Sequence, residues 1–192
     1  LPRPLQRMLP QSIYLDYAAT TPLRKEVLEA MMPYLTENFG NPSAVYSPGR
    51  QARHIVEKCR AEVAELLGVG SAEILFTSGG SESNNTVLSQ PFSFFISSDI
   101  EHESVREPLH HKVGSRVSWV PSDAQGQISP TQLSAALDAE LVGKTEAGLV
   151  SLMTVNNELG SVNAIQALSE VAHSRNALFH TDAVQAAGIL DL

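Results

Sequence analysis

Four short polar clusters hold most of the side chains able to do chemistry: Thr77-Ser-Gly-Gly-Ser-Glu-Ser-Asn-Asn85, Glu101-His102, Asn156-Asn-Glu-Leu-Gly160 and Asp182-Ala-Val-Gln185. In the first, Gly79 and Gly80 allow a tight turn and close approach of the backbone to a ligand, while Ser81 and Ser83 offer hydroxyls. If a helix begins there, its free N–H groups and dipole suit a phosphate. The same residues also make an ordinary Gly-rich turn with a Ser cap, and their spacing is neither that of a Walker loop nor that of a dinucleotide fingerprint. His102 has three readings: a ring that stacks on a flat aromatic ligand, a base, or a surface residue. A metal is disfavoured, because no second His or Cys stands nearby at ligand spacing. Asp182 follows an apolar run, and a carboxylate at the inner end of a buried strand needs a partner. No arginine is close in sequence; the protonated ring nitrogen of a cofactor would serve, and so would a role as helix N-cap. Asn157 and Gln185 add neutral amides able to bond a phenolic or carbonyl oxygen. The adjacent pair His110-His111 reads as surface.

These clusters have a common place in the pattern of elements. Apolar runs with strand character fall at Glu73–Thr77, Phe92–Ser97, Arg116–Val120, Gly148–Thr154 and Ala177–Thr181. Helical periods cover Leu23–Thr36, Gly49–Leu67, Thr131–Leu141 and Ile165–Ser174. Short, wholly apolar strands alternating with helices predict an α/β fold of three layers with a mostly parallel central sheet buried on both faces. Ligands of such sheets bind beyond the carboxyl ends of the strands, where all four clusters are expected. Cys59 lies on the apolar side of the second helix, which predicts a buried, inert thiol.

A chain of 192 residues with 43% hydrophobic and 18% charged residues is long and apolar enough to bury a sizeable core. Its net charge of -8 argues against non-specific binding to nucleic acid or an anionic membrane, and no apolar run reaches the ~20 residues that cross a bilayer. One cysteine excludes an internal disulfide framework and fits a reducing compartment, cytoplasmic or alternatively mitochondrial. Residues 1–12, with two arginines, three prolines and no apolar h-region, are expected to form a disordered or extended arm, and 13–192 one α/β domain or most of one.

Six ordered motifs carry a resemblance: Ile13-Tyr-Leu-Asp-Tyr-Ala-Ala-Thr-Thr-Pro22, Gly40-Asn-Pro-Ser43, Phe76-Thr-Ser-Gly-Gly-Ser-Glu-Ser-Asn-Asn85, Glu101-His102, Val155-Asn-Asn-Glu-Leu-Gly160 and His180-Thr-Asp-Ala-Val-Gln185. Together they resemble the cysteine desulfurase and selenocysteine lyase family, in the class V branch of the fold-type I enzymes that use pyridoxal 5'-phosphate (PLP). The resemblance implies the large, cofactor-binding domain of that fold, here incomplete. It implies that Gly80 and Ser81 hold the cofactor phosphate, and that His102 stacks on the pyridine ring and relays protons. Asp182 would pair with the ring nitrogen, and Asn157 and Gln185 would bond the phenolic side. Ala18, Thr20 and Thr21 would lie near the substrate. The implied reaction removes sulfur from L-cysteine, or selenium from L-selenocysteine, leaves L-alanine, and passes the chalcogen to an acceptor; the family is typically a homodimer.

The family's cofactor lysine follows the Asp-Ala-x-Gln segment after one further strand. No lysine here matches that motif, including Lys112 and Lys144, so the chain is expected to be an inactive N-terminal portion. The loop cysteine, the substrate-binding arginine and the small domain are likewise expected beyond Leu192, and Cys59 does not replace the loop cysteine. Thr86-Val-Leu-Ser-Gln-Pro-Phe92 is shorter than the family's usual helix and is interrupted by Pro91. Two other readings stand beside the desulfurase: another class V aminotransferase or lyase, and a non-catalytic binding module that keeps the fold.

Overall fold

The structure, a computed structural model, describes residues 13–142 and 147–190. The expected arm at 1–12, Lys144 and Leu192 lie outside the described residues. Backbone contacts divide the chain into two units, one ending at Glu62 and the other running from Val63.

The first unit contains α1 (Lys25–Thr36) and most of α2 (Ser47–Leu67). Between the helices, the Gly40-Asn-Pro-Ser43 motif forms a turn in which Asn41 Oδ1 accepts the Ser43 N–H at 2.9 Å. Arg53 Nε, in the second turn of α2, donates to the Pro42 carbonyl at 2.9 Å and pins that turn to the helix. Cys59 is exposed, which corrects the expectation of a buried thiol. The apolar stripe of α2 identifies a side of the helix, but burial needs an element to cover it, and of the described residues before Val63 only Gly49 is buried.

The second unit holds the sheet. Its strands are β1 (Phe94–Ser98), β2 (Arg116–Val120), β3 (Gly148–Ser151) and β4 (Leu178–His180), in the order β2-β1-β3-β4 and all parallel. The central strand β1 is buried throughout, and alternate residues face opposite layers. Phe94 and Ile96 pack with Leu133 and Leu137 of α5 (Pro130–Glu140) and with Leu168 and Ala172 of α6 (Ile165–His173). Phe95 packs on the other face with Leu88 of α3 (Gly80–Leu88) and with Val105 and Leu109 of α4 (Glu103–His110). The expected three-layer α/β architecture is therefore present.

The segment Glu73–Thr77 is not a strand of this sheet, contrary to expectation. Ser71–Glu73 is a single 3-10 turn, and the residues after it run into the start of α3. Leu75 is exposed, and Thr77 Oγ1 is held by Ser83 Oγ at 2.8 Å rather than by a ladder. Composition favoured a strand there, but a strand also needs a paired neighbour. Helix α3 stops at Leu88, short of Pro91 as expected, and Lys112 Nζ closes its end by donating to the carbonyls of Leu88 and Gln90.

Candidate active site at the carboxyl edge of the sheet

Because the four strands are parallel, the loops after β1, β3 and β4 leave from one edge. The chain moves from β1 outward to β2, then returns to place β3 on the other side of β1. Loops diverging from such a switch point leave a crevice between them. A cavity of about 400 Å³ lies there, lined by Glu101, His102 and Arg106 after β1 and by Asn156 and Asn157 after β3.

Buried hydrogen bonds fix the two loops to each other. Asn156 Nδ2 donates to the Ile100 carbonyl at 2.7 Å, while its Oδ1 accepts the N–H groups of Glu158 and Leu159. Asn156 is therefore structural, and its neighbour Asn157 is the amide left at the cavity wall. Glu101 Oε1 accepts from Ser98 Oγ and from the Met153 N–H, both at 2.9 Å. Its Oε2 is buried with no hydrogen-bond partner among the described residues. Burial pushes the Glu101 carboxyl up to about 7, against those two hydrogen bonds and with a smaller push from the negative charge of Asp182.

Asp182 follows β4 and is buried. Thr154 N–H donates to its carbonyl oxygen at 3.0 Å, extending the β3–β4 pairing beyond the strands. The carboxylate has two donors: Val184 N–H to Oδ1 at 2.9 Å and Asn84 Nδ2 to Oδ2 at 2.7 Å. Neither donor is charged, so the negative charge is held in place but not neutralised. His180, two residues earlier, has its Nδ1 2.9 Å from Ser151 Oγ, and burial holds its imidazole below the usual histidine range.

His102 is the N-cap of α4: its Nδ1 accepts the Ser104 N–H at 3.1 Å and lies 2.8 Å from Ser104 Oγ. The ring itself is exposed. Ser104 Oγ accepts in turn from Asn84 Nδ2 at 2.9 Å, so His102 and Asp182 are joined through Ser104 and Asn84.

The first turn of α3 completes this edge. Its N-cap is Gly79 rather than a serine, and Glu82 reaches back to the Ser78 N–H at 2.7 Å; the Ser78 hydroxyl first, and this N–H second, hold the Glu82 carboxyl below the usual range. Ser83 is engaged with Thr77, which leaves Ser81 as the exposed hydroxyl at the helix start. A side chain at Gly80 would place its first carbon 2.6 Å from Val184 Cγ2, so the α3 start and the Asp182–Gln185 loop approach more closely than other residues allow.

The structure thus places His102 and Asn157 on the cavity wall, and sets Gly80 and Ser81 at the start of a helix that meets the loop carrying Asp182 and Gln185. Ala18, Thr20 and Thr21 fall in the first unit, where the Ala19 N–H caps back to Asp16. His110 and His111 are exposed, with the His110 ring stacked on Trp119. Among the described residues no group of three or more His, Cys, Asp or Glu side chains is placed to hold a metal ion. Sequence reasoning missed Asn84, Ser104 and the carboxyl of Glu101. Two of these sat inside the quoted motifs, but no spacing rule pairs Asn84 with a residue 98 positions away.

The chain matches the family model for aminotransferase class-V over residues 13–191. A cysteine desulfurase IscS from Dictyoglomus turgidum is 44% identical over 187 residues, covering 93% of this chain and 46% of that protein. A cysteine desulfurase IscS from Methanosarcina thermophila is 40% identical over 93% of this chain and 45% of its own length. The solved structure "SspA in complex with cysteine" superposes with a TM-score of 0.86 at 35% identity, over 94% of this chain and 53% of that one. The chain spans about half the length of the curated relatives it matches.

Proposed function

Since the chain belongs to the aminotransferase class-V family, we propose that its sheet edge is the cofactor-binding face of a PLP-dependent cysteine desulfurase. The observation that carries this reading is a buried carboxylate, Asp182, held by two neutral donors and with no ion-pair partner among the described residues. The protonated ring nitrogen of PLP supplies that partner. The donor set fits the rest of the cofactor as well. The opening N–H groups of α3 and the Ser81 hydroxyl suit a dianionic phosphate.

In this reading His102 would lay its exposed ring against the pyridine, while Asn157 and Gln185 would bond the phenolic oxygen. When bound, PLP acts as an electron sink for a substrate carbanion, and Asp182 sustains this by keeping the ring nitrogen protonated. With Nδ1 facing the Ser104 N–H, the neutral His102 ring carries its proton on Nε2 and exchanges protons there. The substrate is L-cysteine, supported by the names of the relatives and by a neighbouring structure solved with cysteine; selenocysteine is the alternative. The full-length enzyme releases alanine, hands sulfur to an acceptor and works as a homodimer in a reducing compartment. Lys112 does not supply a cofactor lysine, since it is engaged with two carbonyls and matches no such motif.

Equilibrium dialysis against PLP tests the assignment. The wild-type chain should retain the cofactor, and Asp182→Ala should bind about tenfold more weakly or worse, as expected for loss of a charge-assisted bond. Equal retention by the two proteins would overturn it.

A further inference from the structure

We propose that Asn84 is a positioning residue that sets Asp182 and His102 as one rigid frame for the cofactor ring. The proposal rests on the PLP reading above and extends it to a residue that meets neither cofactor nor substrate. Asn84 is buried in α3, behind the phosphate-facing turn. Its amide nitrogen has two protons, and both are committed: one to Asp182 Oδ2 at 2.7 Å, the other to Ser104 Oγ at 2.9 Å. A carboxylate only accepts, which fixes the orientation of the amide. Ser104 Oγ, accepting from Asn84, then directs its own proton to His102 Nδ1 at 2.8 Å. One side chain therefore orients both the Asp182 carboxylate, 98 residues away, and the Ser104 hydroxyl that meets the imidazole.

The choice of a neutral amide has a consequence. Lysine or arginine at this place would also hold Asp182, but would cancel the charge that the ring nitrogen needs. Aspartate would set two carboxylates against each other. Only a neutral double donor anchors the carboxylate while leaving its charge for the pyridinium.

The test compares PLP with its 1-carba analogue, in which a C–H replaces the ring nitrogen and the phosphate, phenol and aldehyde are unchanged. The wild-type chain should prefer PLP, and Asn84→Ala and Asn84→Asp should each lose that preference by about tenfold, because the partner of the ring nitrogen is no longer fixed. Ser104→Ala should keep the preference, since Asn84 still donates to Asp182, while the loss of the hydroxyl beside Nδ1 shifts the His102 Nδ1 resonance in long-range 1H–15N spectra. In the cofactor-free wild-type chain, both side-chain protons of Asn84 should be protected from solvent exchange. Equal weakening of PLP and the analogue in Asn84→Ala would make the residue merely structural and overturn the proposal, as would rapid exchange of its amide. A wild-type chain that binds neither ring overturns the cofactor reading itself, an outcome distinct from intact binding with an unchanged preference.

Discussion

Glu101 is neighbour to the proposed ring site without being one of its donors, and its environment makes it a pH-dependent element of the fold. Its carboxyl lies at about 7 in the folded chain against an ordinary 4.5, mainly through burial. Between those values the folded chain holds a proton that the unfolded chain has released. Stability therefore falls as pH rises from about 4.5 to about 7 and levels off above, a loss on the order of 3 kcal/mol. Glu101→Gln keeps an acceptor for Ser98 and Met153 and places an amide at the unpartnered oxygen. It should remove that decline and make the protein more stable than wild type at pH 8. His180 works in the other direction: its depressed imidazole costs stability as pH falls below the ordinary 6.5, and this acid limb should survive in the variant. Urea unfolding of both proteins at pH 5, 6, 7 and 8 separates the two. An identical slope in wild type and variant would show that Glu101 does not titrate in this range.

At the scale of elements, the site depends on how closely the start of α3 approaches the loop after β4. Gly80→Ala would press a methyl group on Val184 Cγ2, an exposed side chain that must turn aside at a cost of about 1 kcal/mol. The variant should lower both the melting temperature and PLP affinity, while adding Val184→Ala should restore much of each. If the double variant is no better than Gly80→Ala alone, the contact is not what the glycine serves. This approach was not legible in the sequence, although its participants were. Helices α5 and α6 lie within a residue or so of their expected bounds, because a 3.6-residue period is local information. Four of five expected strands are present for a similar reason: short apolar runs bounded by turns need only be buried. The segment Glu73–Thr77 failed because pairing is decided by distant chain, and Cys59 failed because an apolar stripe does not say what will cover it. Asp182 was recognised as a carboxylate in need of a partner, but the partner, Asn84, is fixed by the packing of α3 and α4 against one face of the sheet.

Across the whole molecule the two units differ in what holds them. From Val63 onward, two buried clusters sandwich the sheet, and Phe94, Phe95, Leu133, Leu137 and Leu168 are inaccessible to solvent. In the first unit α1 has no buried residue: Val27, Leu28, Met31, Met32 and Leu35 are between 42% and 64% exposed, and Pro33 inside the helix donates no backbone hydrogen bond. Twelve residues are marginal for a helix in water without tertiary packing. Backbone hydrogen exchange should therefore find α1 nearly unprotected and β1 among the slowest regions, with opening energies running from near zero to the global value. The same exposed side chains form an apolar face of a kind that drives association. The 192-residue chain should accordingly sediment as concentration-dependent oligomers, and replacing Leu28 and Met32 together by lysine should shift it toward monomer without altering protection of β1. A monodisperse wild-type monomer whose α1 and β1 amides exchange at the same rate, and which melts in one cooperative step, would mean that the first unit is stabilised by packing absent from the arrangement described above.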